Sequence, residues 1–203
     1  MKPVDNRRQR IVVGISGASG VVYGIRLLEI LRELDIETHL VMSHAAQITL
    51  SMETDMKAAE VEALASVAYS NKDVGAACSS GSFRTLGMIV APCSVKTLSE
   101  IATGVTSTLL SRAADVTLKE RRRLVLMLRE TPLHLGHIRA MAAATEAGAI
   151  ICPPVPAFYA RPASLEEMVD HTLGRVLDLF DIDTGLAHRW TGRKAPVTEA
   201  GKG

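Results

Sequence analysis

The stretch IVVGISGASG, residues 11–20, decides the fold class of this 203-residue chain. Its apolar run, Ile11 to Ile15, ends in closely spaced glycines, which is typical of a buried strand that enters a tight turn. The next segment, Val21 to Leu34, carries apolar residues at helical spacing, and Glu37 to Met42 is a second strand. Strand, glycine turn, helix and strand in this order predict a parallel sheet covered by helices.

The same alternation continues along the rest of the chain. Further strands are predicted at Met88 to Ala91, Leu124 to Leu128 and Ala149 to Cys152; helices are predicted from Ser43, from the N-cap Ser94 to Ala102, between the last two strands, and from Ser164 to Phe180. On that last helix the residues predicted to face inward are Leu165, Met168, Val169, Leu173, Val176 and Leu177. We predict one α/β domain over residues 1–190, a Rossmann-like, flavodoxin-like three-layer sandwich with a parallel sheet, and a disordered tail over 191–203.

Composition narrows the class of protein. Hydrophobic residues make up 47% and charged residues 22%, and the formal net charge is +1, so we expect binding to neither nucleic acid nor membrane. The three cysteines are widely scattered, which argues against a disulfide framework or a thiolate zinc site and favours a reducing compartment. The N-terminus is polar, and the apolar run after it is too short to cross a membrane. These features predict a soluble cytoplasmic protein.

The glycine loop and the end of the second strand favour a flavin. The spacing from Gly14 to Gly20 is G-x-x-G-x-x-G, which either presents backbone N–H groups to a phosphate or makes a tight turn and no more. Nicotinamide enzymes usually carry an acidic residue after the second strand, where it holds a ribose hydroxyl. Here that position is Ser43. A hydroxyl there suits FMN, which has a ribityl chain, better than NAD.

Two polar motifs follow later strands. The segment APCSVKTL, residues 91–98, offers the hydroxyls of Ser94 and Thr97 at a helix N-terminus, although Ser94 taken singly is better explained as an N-cap only. Arg129 and Glu130 follow another strand, where they either point at a ligand or form a surface ion pair. Because the carboxyl ends of parallel strands meet at one edge of a sheet, both motifs are predicted to lie near the glycine loop.

A stiff loop carries aromatic residues in a chain that has few of them. Four of the eight prolines lie in CPPVPAFYARP, residues 152–162, which positions Phe158 and Tyr159. The chain contains only three Phe, three Tyr and one Trp, Trp190. These aromatics form either a pocket wall or a hydrophobic plug under the loop.

Taken together, the motifs resemble the flavin prenyltransferase family, the UbiX/Pad-type proteins. The resemblance is carried by GISGASG at 14–20, ETD at 53–55, SSGSF at 79–83, APCSVKTLS at 91–99, RAADVTLKERR at 112–122, RETPLHLGH at 129–137 and PPVPAFYARP at 153–162. It implies that a dimethylallyl group passes from dimethylallyl phosphate to N5 and C6 of reduced FMN, giving prenylated FMN for a UbiD-type decarboxylase. It also implies a homododecamer whose active sites are shared between subunits.

The resemblance further implies a set of site residues. FMN would be bound by Gly17, Ala18, Ser19, Ser43, Ser94, Val95, Lys96, Thr97 and Arg129; dimethylallyl phosphate by Lys119, Tyr159 and Arg175; and the catalytic candidates are Ser19, Glu53, Glu130 and Trp190. The positions that depart from the family pattern include His44 and Arg123. No DDxxD motif is present, and His134 with His137 has no third ligand placed by a motif, so no metal is predicted.

Two other functions remain open at this point. One is an aromatic-acid decarboxylase, which would turn over carboxylic acids alone. The other is a non-enzymatic carrier that hands FMN to a partner decarboxylase. Incubation with reduced FMN and dimethylallyl phosphate separates the three, because they give a new flavin absorbance, carbon dioxide release, or neither.

Overall fold

The structure, a computed structural model, describes residues 9–189. The predicted tail over 191–203 and the catalytic candidate Trp190 lie outside these residues. Within them the strands are β1 (Arg10–Ile15), β2 (Glu37–Met42), β3 (Val67–Ser70), β4 (Gly87–Cys93), β5 (Arg123–Leu128) and β6 (Ile150–Ile151). The helices are α1 (Val21–Glu33), α2 (His44–Glu53), α3 (Ala58–Glu62), α4 (Val95–Thr103), α5 (Leu109–Lys119), α6 (Leu135–Glu146) and α7 (Leu165–Asp178).

The six strands form one sheet in the order β3-β2-β1-β4-β5-β6, and every neighbouring pair is parallel. One face is covered by α1, α2, α3 and α7, and the other by α4, α5 and α6. This arrangement confirms the predicted three-layer α/β sandwich. The strand order reverses between β1 and β4, and ligands of such sheets bind outside the carboxyl ends of the strands at that reversal.

The apolar patterns of the sequence explain the central elements. All seven residues of β4 are buried, as a strand covered on both faces requires. On α1, the residues Leu27, Leu28 and Leu31 are fully buried against the sheet. The helix approaches β4 closely at Gly24, where an added Cβ would lie 2.4 Å from the carbonyl oxygen of Ala91. A glycine at this position therefore lets α1 pack directly on the strand.

Some predictions were wrong or incomplete. Leu165 does not face inward: it is 75% exposed, because it is the first residue of α7 and precedes the part of the helix that packs on α1. The last strand is shorter than predicted, Ile150–Ile151. No helix or strand was predicted at β3, α3 or α5.

A charged network ties β1, β2 and β3 together at one edge of the sheet. His39 is buried on β2, and its Nε2 lies 2.8 Å from a carboxylate oxygen of Glu37. Its Nδ1 lies 2.9 Å from the hydroxyl of Tyr69 on β3, and Arg10 on β1 donates to Glu37 at 2.8 Å. Burial lowers the pKa of His39, and the Glu37 carboxylate offsets this only in part.

We expect the free energy of unfolding to fall as the pH drops below about 6.5, the ordinary pKa of histidine. Above that pH, His39 is neutral in both states; below it, the unfolded chain takes up a proton that the folded protein resists. Urea unfolding at fixed protein concentration should show this slope, and His39→Gln should reduce it. Tyr69→Phe, which keeps the imidazole, should retain the slope. An unchanged slope in His39→Gln would contradict the assignment of this pH dependence to His39.

Candidate active site

The loops after β1, β2 and β4 are fastened together at the carboxyl edge of the sheet. The hydroxyl of Ser16 donates to the carbonyl of Pro92 at 2.9 Å and accepts from the backbone N–H of Ser94 at 2.7 Å. The N–H of Ser43 donates to the carbonyl of Ile15 at 2.9 Å. The glycine loop, the start of α2 and the start of α4 are therefore held next to each other, at the point where the strand order reverses.

A small pocket of about 220 Å³ opens between these loops. Its lining residues are Gly17, Ser43, His44, Ala45, Asn71, Ser94, Lys96, Thr97, Glu100, Thr108 and Leu110. Ser43 is the N-cap of α2 and accepts from the N–H of Ala46 at 3.1 Å, while Ser94 is the N-cap of α4 and accepts from that of Thr97 at 3.3 Å. The N-termini of two helices thus border a single pocket.

This pocket suits a phosphate group. The first N–H groups of a helix have no partner within it, and those of His44, Ala45 and Lys96 bond to no residue in the described part of the chain. Neither helix carries an acidic residue in its first turn that would compete for these donors. Two helix N-termini and their N–H groups favour an anion at this position. The pocket therefore fits a phosphate or another small anion.

The glycine loop itself positions a carboxylate. At the start of α1, Glu53 accepts from the N–H of Gly20 at 2.9 Å and from that of Val21 at 3.0 Å. Burial acts to raise the pKa of Glu53, but hydrogen bonds from Ser19 and these N–H groups, with the charge of Arg129, lower it overall. Glu53 is therefore held as a carboxylate between a hydroxyl and a guanidinium. The N–H groups of Gly20 and Val21, at the start of α1, are thus taken by a side chain.

Gly17 is required by a close approach within this site. A Cβ added at Gly17 would lie 2.3 Å from the Cβ of Ala45, in the first turn of α2. Cβ atoms of real side chains essentially never come this close. Residue 17 thus sets how near the glycine loop lies to the helix that borders the pocket.

Most of the residues predicted to bind FMN meet at this edge. Gly17, Ser43, Ser94, Lys96 and Thr97 line the pocket; Ala18 and Val95 adjoin lining residues in the same two loops; Ser19 and Arg129 lie with Glu53. Glu130 is partly exposed and accepts from the N–H of Thr131 at 2.9 Å. Arg129 and Glu130 form no ion pair with each other within residues 9–189.

The residues predicted to hold the prenyl phosphate do not meet in one chain. Lys119 ends α5 at the amino edge of the sheet, where it pairs with Glu120. Arg175 lies on α7, which packs on the opposite face, and pairs with Asp178 at 2.6 Å. The hydroxyl of Tyr159 lies 3.5 Å from Nε2 of His171, also on α7. Tyr159 and Arg175 therefore belong to one side of the molecule and Lys119 to the other.

Sequence reasoning missed several residues of the pocket lining, including Asn71 and Thr108. Asn71 follows β3 and accepts from the N–H of Leu110 at 3.0 Å, and Thr108 is the N-cap of α5. Both were missed because β3 and α5 were not predicted. The signal was present in the run Thr108 to Ser111, a hydroxyl N-cap with a polar residue three positions later.

Two further features concern only the described residues, 9–189. They contain no group of three or more His, Cys, Asp or Glu side chains that could hold a metal ion. None of their helices is long and apolar enough to span a bilayer.

Comparison with known proteins identifies relatives over most of the chain. The family described as Flavoprotein matches residues 1–182. Flavin prenyltransferase UbiX of Escherichia coli K12 is 60% identical over 187 residues, which cover 91% of this chain and 99% of that protein. A crystal structure of AnUbiX (PadA1) with FMN and dimethylallyl pyrophosphate is 54% identical, with a TM-score of 0.91 and coverage of 93% of this chain and 100% of that one. The structure of a dodecameric FMN-dependent UbiX-like decarboxylase from E. coli O157:H7 is 47% identical, with a TM-score of 0.88 and coverage of 91% and 100%.

Proposed function

This chain belongs to the flavin prenyltransferases of the Flavoprotein family, and we propose that it joins the dimethylallyl group of dimethylallyl phosphate to N5 and C6 of reduced FMN. The observation that carries the proposal is the pocket between the N-termini of α2 and α4. It adjoins the corner where Ser19, Glu53 and Arg129 meet. The pocket thus offers a binding site for a phosphate, and the neighbouring corner offers charged and hydrogen-bonding groups for a flavin ring.

The roles of the residues follow from the charges that the reaction moves. When the allylic C–O bond breaks, the electron pair would leave with the phosphate, the allylic carbon would bond to N5, and N5 would release its proton. Ring closure would then join the other end of the five-carbon unit to C6, as its double bond takes up one proton and C6 releases one. Lys119 and Arg175 would neutralise the departing phosphate, and the Tyr159 hydroxyl would donate a hydrogen bond to it. Glu53, held as a carboxylate, would accept a hydrogen bond or a proton from the flavin ring, and Glu130 would handle a proton at the phosphate. Trp190 would stabilise positive charge on the allyl group by a cation–π interaction.

The arrangement of the cations also supports an oligomer. Lys119 and Arg175 lie on opposite faces of the sheet in one chain, so both reach one phosphate only if different subunits supply them. A dodecameric relative of the same fold makes such sharing geometrically reasonable. We propose that this chain forms the same homododecamer and passes prenylated FMN to a UbiD-type decarboxylase. The three cysteines are free thiols, which agrees with a protein that acts in the reducing cytoplasm.

We expect turnover to be independent of metal ions. Desolvating the charge of a prenyl phosphate without compensation would cost several kcal/mol, and protein cations are proposed to supply that compensation. Purified protein with reduced FMN and dimethylallyl phosphate, kept anaerobic, should develop a new flavin absorbance at the same rate with and without EDTA. Activity that disappears with EDTA and returns with magnesium would contradict this.

The same assay separates the proposal from its alternatives. The decarboxylase alternative, which the name of one relative favours, predicts carbon dioxide release from an aromatic acid without any prenyl donor. The carrier alternative predicts FMN binding with neither product. Either outcome would replace the proposed function.

A further inference from the structure

Two basic residues occur among the described residues that line the phosphate pocket, Lys96 and His44. The Nζ of Lys96 lies 2.7 Å from a carboxylate oxygen of Glu100, and the Lys96 side chain is 72% exposed. The same Glu100 oxygen accepts from the hydroxyl of Ser107 at 2.8 Å. The charge that α4 brings to the pocket is therefore largely neutralised within the helix. His44 is the other basic side chain in this lining.

His44 occupies an unusual electrostatic position. It is the first residue of α2 after the N-cap, beside the N–H groups that border the pocket. Its side chain is exposed, and within residues 9–189 no hydrogen bond or ion pair engages it. The charged groups around it are Lys96 and Glu100 of α4, together with Glu62 of α3 and Lys72 after β3, which line the adjoining groove of about 930 Å³. These four side chains contain two charges of each sign, so their formal charges cancel.

A phosphate in the pocket would place an anion beside the imidazole of His44. We propose that His44 binds the flavin phosphate in its protonated form, so that FMN binding is coupled to proton uptake. Histidine is the side chain whose charge ordinarily changes near neutral pH, and coupling between two ligands is reciprocal. Protons therefore strengthen FMN binding by the factor by which FMN strengthens protonation. The inference rests on the proposed assignment of this pocket to the FMN phosphate.

The test is the dissociation constant of oxidised FMN from about pH 6 to about pH 8.5, measured by fluorescence quenching on the full chain. The phosphate itself gains a proton near pH 6, but that affects every variant alike. The readout is therefore the dissociation constant of His44→Gln divided by that of the wild type at the same pH. We expect a ratio near one at the alkaline end and about tenfold at the acid end, as for a charge-assisted hydrogen bond. His44→Lys should bind tightly throughout.

Two controls tie the effect to the phosphate and to the proton. Riboflavin, which lacks the phosphate, should show no pH-dependent difference between the wild type and His44→Gln. Calorimetry near neutral pH, in two buffers with different ionisation enthalpies, should show proton uptake on FMN binding that is smaller in His44→Gln. Because His44 is exposed, the substitutions should leave the fold intact.

The outcomes distinguish this inference from the function on which it rests. A ratio that stays constant across the pH range, with FMN still bound, would refute the role of His44 and leave the proposed function standing. Equal pH-dependent differences with riboflavin and FMN would refute the phosphate contact. A wild-type protein that binds no FMN at any pH would refute the proposed function and the inference together.

Discussion

Co-assembled subunits that carry Lys119→Ala or Arg175→Ala should regain prenyl transfer that each variant loses alone. Loss of one charge-assisted contact to the prenyl phosphate should weaken its binding about tenfold to a hundredfold, which appears as a higher KM. In one chain the two cations lie on opposite faces of the sheet, so under the proposed function a complete phosphate site would take each from a different subunit. In a mixed oligomer, some sites combine the intact Lys119 of one chain with the intact Arg175 of another.

Random mixing should restore about a quarter of the sites, since both contributing subunits must be of the right type. The two variants can be co-expressed with different tags and purified through both, and turnover measured at a prenyl phosphate concentration below KM. Arg175→Ala mixed with Tyr159→Phe is the matched control. These two residues lie on the same side of the molecule, so their mixture should regain nothing. Recovery in the control, or none in the test mixture, would refute sharing of the site between opposite faces.

The sequence was sufficient to predict the strands and helices that have a regular apolar pattern. The strands β1, β2, β4 and β5 and the helices α1 and α4 begin and end within one or two residues of their predicted bounds, and α2 begins one residue after its predicted start at Ser43. By contrast β3, Val67–Ser70, is short and mostly exposed at the edge of the sheet, so it lacks the apolar run that marks a buried strand. Missing β3 also meant missing Asn71, the first polar residue after it.

The candidate site was predictable where topology alone brings residues together. In a parallel sheet the carboxyl ends of neighbouring strands share one edge, so Ser43 and Ser94 were expected near the glycine loop, and the structure places them there. That rule does not tell on which face of the sheet a helix packs, and this decides where Lys119 and Arg175 lie. Nor does it reveal that Glu53, at the far end of α2, returns to cap α1.

Gly17→Ala should abolish most FMN binding, with a loss of about a hundredfold or more as several hydrogen bonds to the phosphate are displaced together. The new methyl carbon would lie 2.3 Å from the Cβ of Ala45 and 3.1 Å from its carbonyl carbon. Neither atom can be moved by rotating a side chain, so the glycine loop or the first turn of α2 must shift. That turn carries Ser43 and the N–H groups that border the pocket.

A compensating substitution makes this prediction specific. Ala45→Gly removes the atom that Gly17→Ala would strike, so the double variant should recover a large part of the FMN affinity, while contacts at 3.1 Å and 3.2 Å with the backbone of residue 45 keep the rescue partial. Gly75→Ala is the matched control, because a Cβ there would lie 3.4 Å from a carboxylate oxygen of Asp73 and meet nothing closer. It should bind FMN as the wild type does. Titration with FMN, with thermal unfolding to show that each variant is folded, provides the measurement. Equal loss of affinity with and without Ala45→Gly would show that Gly17 acts through something other than this contact.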